Sequence, residues 1–174
     1  MIQSLISKLS IDRTPAACTL LLAGIWLAFF LRLGMPPLFD WDEGAFSEAT
    51  REMLASGDWI SITLNGSPRY DKPVLIHWLQ AASVSVLGPT EFAFRLPSAL
   101  AASFWVVLIY GFGRTFFNHR VGWFAAWIAI ASLPVCLIGR AATADAWLNL
   151  LLTASMYTAL RFQRDKRMRW LYIT

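Results

Sequence analysis

The chain has 174 residues, of which 57% are hydrophobic and only 15% charged, with nine Trp and twelve Phe. Soluble domains carry about 25% charged residues, so this composition belongs to a membrane protein. The net charge of +4 resides in short basic clusters between apolar runs, the pattern of membrane topology rather than of a basic face for nucleic acid, and nucleic-acid binding is excluded as a reading.

Residues 1–13 place Ile2, Leu5, Ile6 and Leu9 at helical spacing, which suits a short interfacial helix or a polar tail. From 16 to 33 the run AACTLLLAGIWLAFFLRL is apolar up to Arg32. Its length corresponds to a helix of about 27 Å, close to a bilayer core. Lys8 and Arg13 precede it and favour a cytoplasmic N-terminus. Gly34-Met35-Pro36-Pro37 then stops the helix, with no small-residue cleavage site, so an uncleaved span is expected. Cys18 and Cys136 lie within apolar runs without spaced partners and read as small hydrophobes.

Residues 35–95 hold eight of the eleven acidic residues. Asp40, Asp42 and Glu43 fall within four positions, directly after the first span, where carboxylates are costly unless they have a task. A helix is expected over 43–56, with Phe46, Ala49, Met53 and Leu54 on one face and Ser56-Gly57-Asp58 as its stop. Asp40 and Asp42 are both N-cap candidates, with Glu43 completing a capping box from Asp40. An ionised cap can also accept a proton, so Asp42 is a candidate general base as well. An extended piece follows at 59–64, then the turn Asn65-Gly66-Ser67-Pro68 and the segment Arg69-Tyr70-Asp71-Lys72-Pro73.

The run from Pro73 to Leu87 is short for a span and carries His77, Gln80, Ser83 and Ser85. If it does not cross, 35–95 forms one external loop, and Arg114, His119 and Arg120 join Arg161, Arg164, Lys166, Arg167 and Arg169 on the cytoplasmic side. Crossing would export these clusters against the positive-inside tendency, so the non-crossing topology is expected. Further spans then occupy 96–117, 121–138, with Pro134 as a kink, and 146–162; another begins at 170. The chain thus reads as the N-terminal part of an all-α, multispanning helical bundle whose external first loop carries two juxtamembrane helices.

This topology returns Asp145 to the face that bears Asp42. Asp145 is also an N-cap candidate for its helix. Lys72 suits a phosphate at the membrane surface or a snorkelling role at a helix start. Arg69, Arg95 and Arg140 are external, where positive charge is disfavoured, and point to an anionic ligand such as a lipid phosphate. His77 reads as a packed or interfacial histidine. A metal at Asp71, His77 or Asp145 has no spacing signature.

The stretches DWDEGAFSEATREMLASGDWI, RYDKPVLIHWLQAASVSVLG and EFAFRLPSALAA, in this order, resemble the polyprenyl-phosphate-sugar-dependent glycosyltransferases of the GT-C type. The pattern is most similar to the branch with the lipid A aminoarabinose transferases and the dolichyl-phosphate-mannose protein mannosyltransferases, and it covers about residues 39–145. The resemblance implies an inverting, multi-pass enzyme of the bacterial inner membrane, with its site on the extracytoplasmic side. Its partners would be a polyprenyl-phosphate-linked sugar donor, a lipid, protein or glycan acceptor, and membrane lipids. It implies the catalytic role for Asp42, a donor-phosphate contact for Lys72 and a place lining the same cavity for Asp145; Glu43 joins Asp42 as a catalytic candidate, and Tyr70, Arg95, Arg140 and Asp145 join Lys72 as substrate- or phosphate-binding candidates. Asp71 stands where the aminoarabinose transferases tend to have Glu, close to a divalent metal site. Those transferases also have Arg two residues after the Asp-Glu pair, where this chain has Ala45; the departure favours a generic family member. The competing reading is a non-enzymatic membrane subunit or transporter fragment with an acidic docking loop.

Overall fold

The first helix is the clearest example of local sequence yielding to distant partners. The computed structural model describes residues 15–39 and 41–167, so the expectations for 1–13, Asp40 and the segment from 170 lie outside the described residues. Helix α1, Pro15–Phe29, ends four residues before the apolar run does. Beyond it the chain unwinds through turns to Arg32, which adopts φ 57°. The freed carbonyls of Ala28 and Leu31 accept hydrogen bonds from Arg140, and that of Leu33 from Arg95. An unwound helix end needs such partners, because buried carbonyls are costly to leave unpaired.

Helix α2, Asp42–Ser56, follows. It terminates as its sequence requires, on Gly57 in the left-handed region at φ 73°, whose N–H bonds the Met53 carbonyl at 3.0 Å. Its start departs from expectation. Trp41 occupies the N-cap position without a side-chain bond and Asp42 is the first helical residue, so Asp42 does not cap the helix. The expected extended piece is mostly a turn around Asp58, whose Oδ1 accepts the N–H groups of Ile60 and Ser61. Only β1, Thr63–Leu64, and β2, Ser67–Pro68, pair as an antiparallel hairpin. Asn65 and Gly66, at φ 53° and 72°, supply the two left-handed positions of its turn. Ala49, Met53, Ile62 and Ala81 bury this subassembly against helix α3, Leu75–Leu87.

Helix α4, Glu91–Phe116, is the axis of the molecule and packs against α3 and every bundle helix. Thr90 caps it by accepting the Ala93 N–H at 3.2 Å. It therefore starts five residues before the expected 96 and runs through Pro97, which puts Arg95 inside the helix. Asn118 caps α5, His119–Ala131, through a bond from the Val121 N–H. The expected third span is broken rather than gently kinked. Ser132 is extended, and α6, Leu133–Arg140, departs at 68° with Pro134 in its first turn. Helix α7, Asp145–Asp165, completes the bundle.

Among the described residues α4 is long and apolar enough to cross a bilayer by itself, and α5 with α6 reaches that standard only as a bent pair. At 15 residues, α1 is about 22 Å long, less than the hydrocarbon core. α7 is about 32 Å long, but Asn149, Thr153 and Thr158 make it more polar than a lone span. Outward-facing Leu22, Trp26, Phe104, Phe124, Ile128, Leu151 and Leu152 are exposed, while the interior is alanine-rich at Ala99, Ala101, Ala102, Ala126 and Ala129. Large residues outside and small ones inside are the packing of helices in lipid.

Small residues set the closest approach. A Cβ on Gly113 would lie 2.6 Å from the Gly122 Cα, and one on Gly122 would collide with the Tyr110 carbonyl. Gly111 has nothing within 4 Å of its own Cβ position. Gly122→Ala is therefore expected to lower the thermal midpoint by prising α5 from α4. Gly111→Ala, in the helix interior, should leave stability unchanged or raise it by about 0.5–1 kcal/mol; equal effects of the two in a melting assay would contradict this packing.

Candidate active site

Glu43 and Arg95, 52 positions apart in sequence, form a buried ion pair, each 5% exposed. Arg95 Nε donates to Glu43 Oε1 at 2.7 Å and Nη2 to Oε2 at 2.6 Å, a two-point fork. Its remaining hydrogens go to the carbonyls of Leu33, Pro36 and Pro37 at 3.0, 2.7 and 2.8 Å. A guanidinium has five donors, and all five are engaged. Glu43 also accepts the Phe39 N–H at 2.9 Å and the Ala142 N–H at 2.7 Å. One ion pair thus binds the end of α1, the proline stretch, α2, α4 and the turn before α7.

Arg95 accordingly has no N–H to offer a phosphate, which revises the ligand contact expected for it. Glu43 likewise has both oxygens saturated by the protein, and its geometry suits a positioning residue rather than the catalytic one expected. Burial alone would raise the Glu43 carboxyl, but the Arg95 hydrogen bonds and the Phe39 and Ala142 N–H groups outweigh it and hold the group below its ordinary 4.5.

The turn at 141–144 is fixed from several sides. Gln80 Nε2 donates to the carbonyls of Phe94 and Ala142 at 3.2 and 3.1 Å, and Ser98 Oγ to that of Thr143 at 2.9 Å. With its amide committed, Gln80 presents Oε1 to the Thr50 hydroxyl at 2.8 Å. The Thr50 hydroxyl has one hydrogen to offer the Phe46 carbonyl at 2.9 Å and Gln80 Oε1, and the His77 Nδ1 lies 3.0 Å from the same oxygen. The His77 ring, fully buried and stacked 5.5 Å from Phe46, is left with an unpaired Nε2. Burial, reinforced by the positive charge of Arg69, pushes its pKa down to about 4. Neither this relay nor the Glu43–Arg95 pair was identified from sequence. The sequence left His77 as packed or interfacial, and nothing local names its partners.

Between these anchors opens a cleft of about 420 Å³, whose lining includes Asp42, Arg140, Thr143 and Asp145, with Phe39 and Leu137 as apolar walls. Asp42 is exposed to it, one residue before Glu43 and therefore turned about 100° round the helix from the buried pair. Asp145, the first residue of α7, accepts a hydrogen bond from Thr143 Oγ1 at 3.1 Å. Arg140 donates to the carbonyls of Ala28 and Leu31, which uses two of its five hydrogens. Thr143 is a cleft residue that the sequence did not single out.

Asp42, Glu43, Arg95, Arg140 and Asp145 are thus brought together, whereas Tyr70, Asp71 and Lys72 do not line the cleft. Lys72 Nζ lies 5.9 Å from the centre of the Phe46 ring, beside Arg69 at 5.2 Å. Phe46 is one helical turn after Asp42, so Lys72 stands next along α2 from the cleft. Tyr70 is exposed. Asp71 accepts a bond from Arg69 at 2.9 Å, whose hydrogen bond holds the carboxyl below its usual range. No group of three or more His, Cys, Asp or Glu able to hold a metal gathers among the described residues. Asp71 stands outside the cleft with its Oδ1 bonded to Arg69.

A carboxyl whose pKa falls on folding adds stability above its unfolded value, and that stability is lost as pH drops through the lower folded value. Thermal melts between pH 7 and pH 3 should therefore show a first loss of stability below about 6.5, where the buried neutral His77 takes up a proton on unfolding, and a further acid limb below about 4.5 to which Glu43 contributes. Glu43→Gln should cost about 3–5 kcal/mol at neutral pH by stranding Arg95 and should make that limb shallower. An unchanged limb would remove Glu43 from the account.

Residues 71–174 match the dolichyl-phosphate-mannose-protein mannosyltransferase family. The chain is 34% identical over 142 residues to the undecaprenyl phosphate-alpha-4-amino-4-deoxy-L-arabinose arabinosyl transferase of Shewanella sediminis, covering 80% of this chain and 25% of that protein. It is 32% identical over 145 residues to the transferase of the same name from Yersinia enterocolitica, covering 81% and 26%. The crystal structure of ArnT from Cupriavidus metallidurans bound to undecaprenyl phosphate superposes with a TM-score of 0.75 at 26% identity, over 81% of this chain and 26% of that one. The chain spans about a quarter of the length of these relatives, and the likeness gives its helices a membrane fold. With a family match over more than half its length, the chain belongs to the dolichyl-phosphate-mannose-protein mannosyltransferase family.

Proposed function

We propose that the chain supplies the acidic half of the active site of a membrane glycosyltransferase that uses a polyprenyl-phosphate-linked sugar as donor. The observation that carries this reading is the cleft itself, which Asp42, Asp145 and Arg140 line together, in a chain of this family. The donor class follows the relatives' names and the undecaprenyl phosphate held by the ArnT structure.

In the proposed topology α1, α4, the α5–α6 pair and α7 cross the inner membrane. Residues 35–95, with α2 and α3, lie at its outer face, and the cleft opens there. Asp42 acts as general base. It takes the proton from an acceptor hydroxyl or phosphate oxygen as that oxygen bonds the anomeric carbon. The bond from that carbon to the phosphate oxygen breaks on the opposite face, so the configuration inverts and polyprenyl phosphate leaves. Lys72 and the three hydrogens of Arg140 that are unbonded among the described residues stabilise the charge that grows on the leaving phosphate. Glu43 and Arg95 act through position: they hold α2 so that Asp42 faces the cleft. Thr143, bonded to Asp145, orients the second carboxylate.

Asp42→Asn in the full-length protein should lower turnover by about 10²–10⁴-fold, the usual contribution of a general base, with donor affinity and melting temperature unchanged. Turnover near wild type would sink the assignment. Lys72→Gln and Arg140→Gln should each cost about 10–100-fold in kcat/KM. A phosphate-binding role for these residues would be contradicted if the purified variants held the donor and turned it over as the parent does.

A further inference from the structure

A second polar cleft lies at the far end of the bundle. Arg95 and Arg114 are both on α4, separated by 19 residues and hence by about 28 Å, close to the thickness of a bilayer core. Around Arg114 the ends of α4 and α7 enclose about 470 Å³, lined by Arg114, Thr115, Tyr157, Arg161, Arg164 and Asp165 with Gly111. Three guanidinium groups face one carboxylate there. Asp165 is engaged by Arg161 at 2.8 Å. Arg164 Nη1 donates to the Thr115 carbonyl at 2.6 Å, which steers its head across the gap between the helices and leaves its Nε and Nη2 edge uncommitted among the described residues. Arg114 is exposed, and no hydrogen bond or ion pair engages its guanidinium among the described residues.

The surroundings say what kind of anion this charge would meet. Phe112, Phe116 and Tyr157 pack against one another at ring distances of 4.8, 6.0 and 5.9 Å, and Tyr157 reaches Thr115 Oγ1 at 3.3 Å. Such an aromatic layer, with polar tips, marks the headgroup level of a bilayer. Towards the middle of the bundle the same two helices expose Phe104 and Val107 on α4 and Leu152 and Met156 on α7. A basic cleft between two helices, directly above an apolar flank, presents complementary surfaces for a phosphate and for acyl chains.

We infer that this cleft is a binding site for the phosphodiester headgroup of an anionic phospholipid in the leaflet opposite the active-site cleft, held by Arg114 and Arg164. Arg161, already paired with Asp165, contributes field rather than a direct fork. The lipid would brace the ends of α4 and α7 against each other, at the far end of the helix that carries Arg95.

The test is native mass spectrometry of the full-length protein, titrated with palmitoyl-oleoyl phosphatidylglycerol and, separately, with the zwitterionic phosphatidylcholine of the same chains. The wild type should retain phosphatidylglycerol preferentially. Arg114→Gln with Arg164→Gln should weaken that retention about tenfold or more. Lys166→Gln with Arg167→Gln, which removes the same charge outside the cleft, should leave it unchanged. Arg114→Gln alone, at a position without a partner among the described residues, should show part of the loss in a protein that melts like wild type, which guards against a folding defect in the double variant. Equal retention of the two lipids, or equal loss in both double variants, would overturn the site. Displacement of the lipid by millimolar inorganic phosphate would make it a soluble-anion site and overturn the lipid assignment.

Discussion

The fold of this chain hangs on one buried ion pair. Between them Arg95 and Glu43 hold the carbonyls of Leu33, Pro36 and Pro37 and the N–H groups of Phe39 and Ala142. A buried pair of this kind is not a large net source of stability, because desolvation offsets most of the attraction. Its value is specificity. Every hydrogen of the guanidinium and both oxygens of the carboxylate are matched, so the segments have one arrangement in which no polar group is stranded. The pair fixes where α2 begins, and with it the direction of Asp42.

That arrangement separates support from chemistry among neighbouring acids. Asp42 and Glu43 are adjacent in sequence but opposite in environment, one exposed at the cleft and the other 5% exposed and fully bonded. In the proposed reaction the accessible group does the proton transfer, while the committed one keeps the helix in place. The same division separates the arginines. Arg95 is saturated, while Arg140 ties down the end of α1 with two hydrogens and, among the described residues, has three others unbonded at the cleft wall. The Thr50–His77–Gln80 relay adds a second hold on Ala142 from the other side.

Much of the outer subassembly was legible in the sequence because its signals are local. Gly57 had to end α2, and a turn was expected over Asn65-Gly66-Ser67-Pro68, of which Asn65 and Gly66 make the turn while Ser67 and Pro68 pair as β2. The juxtaposition of Asp42 and Asp145 also followed from counting segments. What could not be read depends on partners far away in the chain. The end of α1 unwinds because Arg140 and Arg95 are there to take its carbonyls, and an apolar run of 18 residues gives no hint of that. Helix α4 starts at the Thr90 cap rather than at the edge of the apolar run at 96, and it tolerates Pro97 because a proline in the second turn forfeits only one bond while the cap supplies another. Asp42 looked like a cap by residue type, yet the reach of Glu43 back to the Phe39 N–H sets the entry of α2 instead.

The central claim is that Asp42 works beside a scaffold in which Arg95 is fully occupied. The most direct test is a structure of the full-length protein with a non-transferable polyprenyl-phosphate-sugar analogue. The account predicts the Asp42 carboxylate facing the anomeric carbon from the side opposite the phosphate, phosphate oxygens bonded by Lys72 and Arg140, and the Arg95–Glu43 fork intact. A phosphate bonded to Arg95, or Asp42 turned away from the sugar, would contradict it.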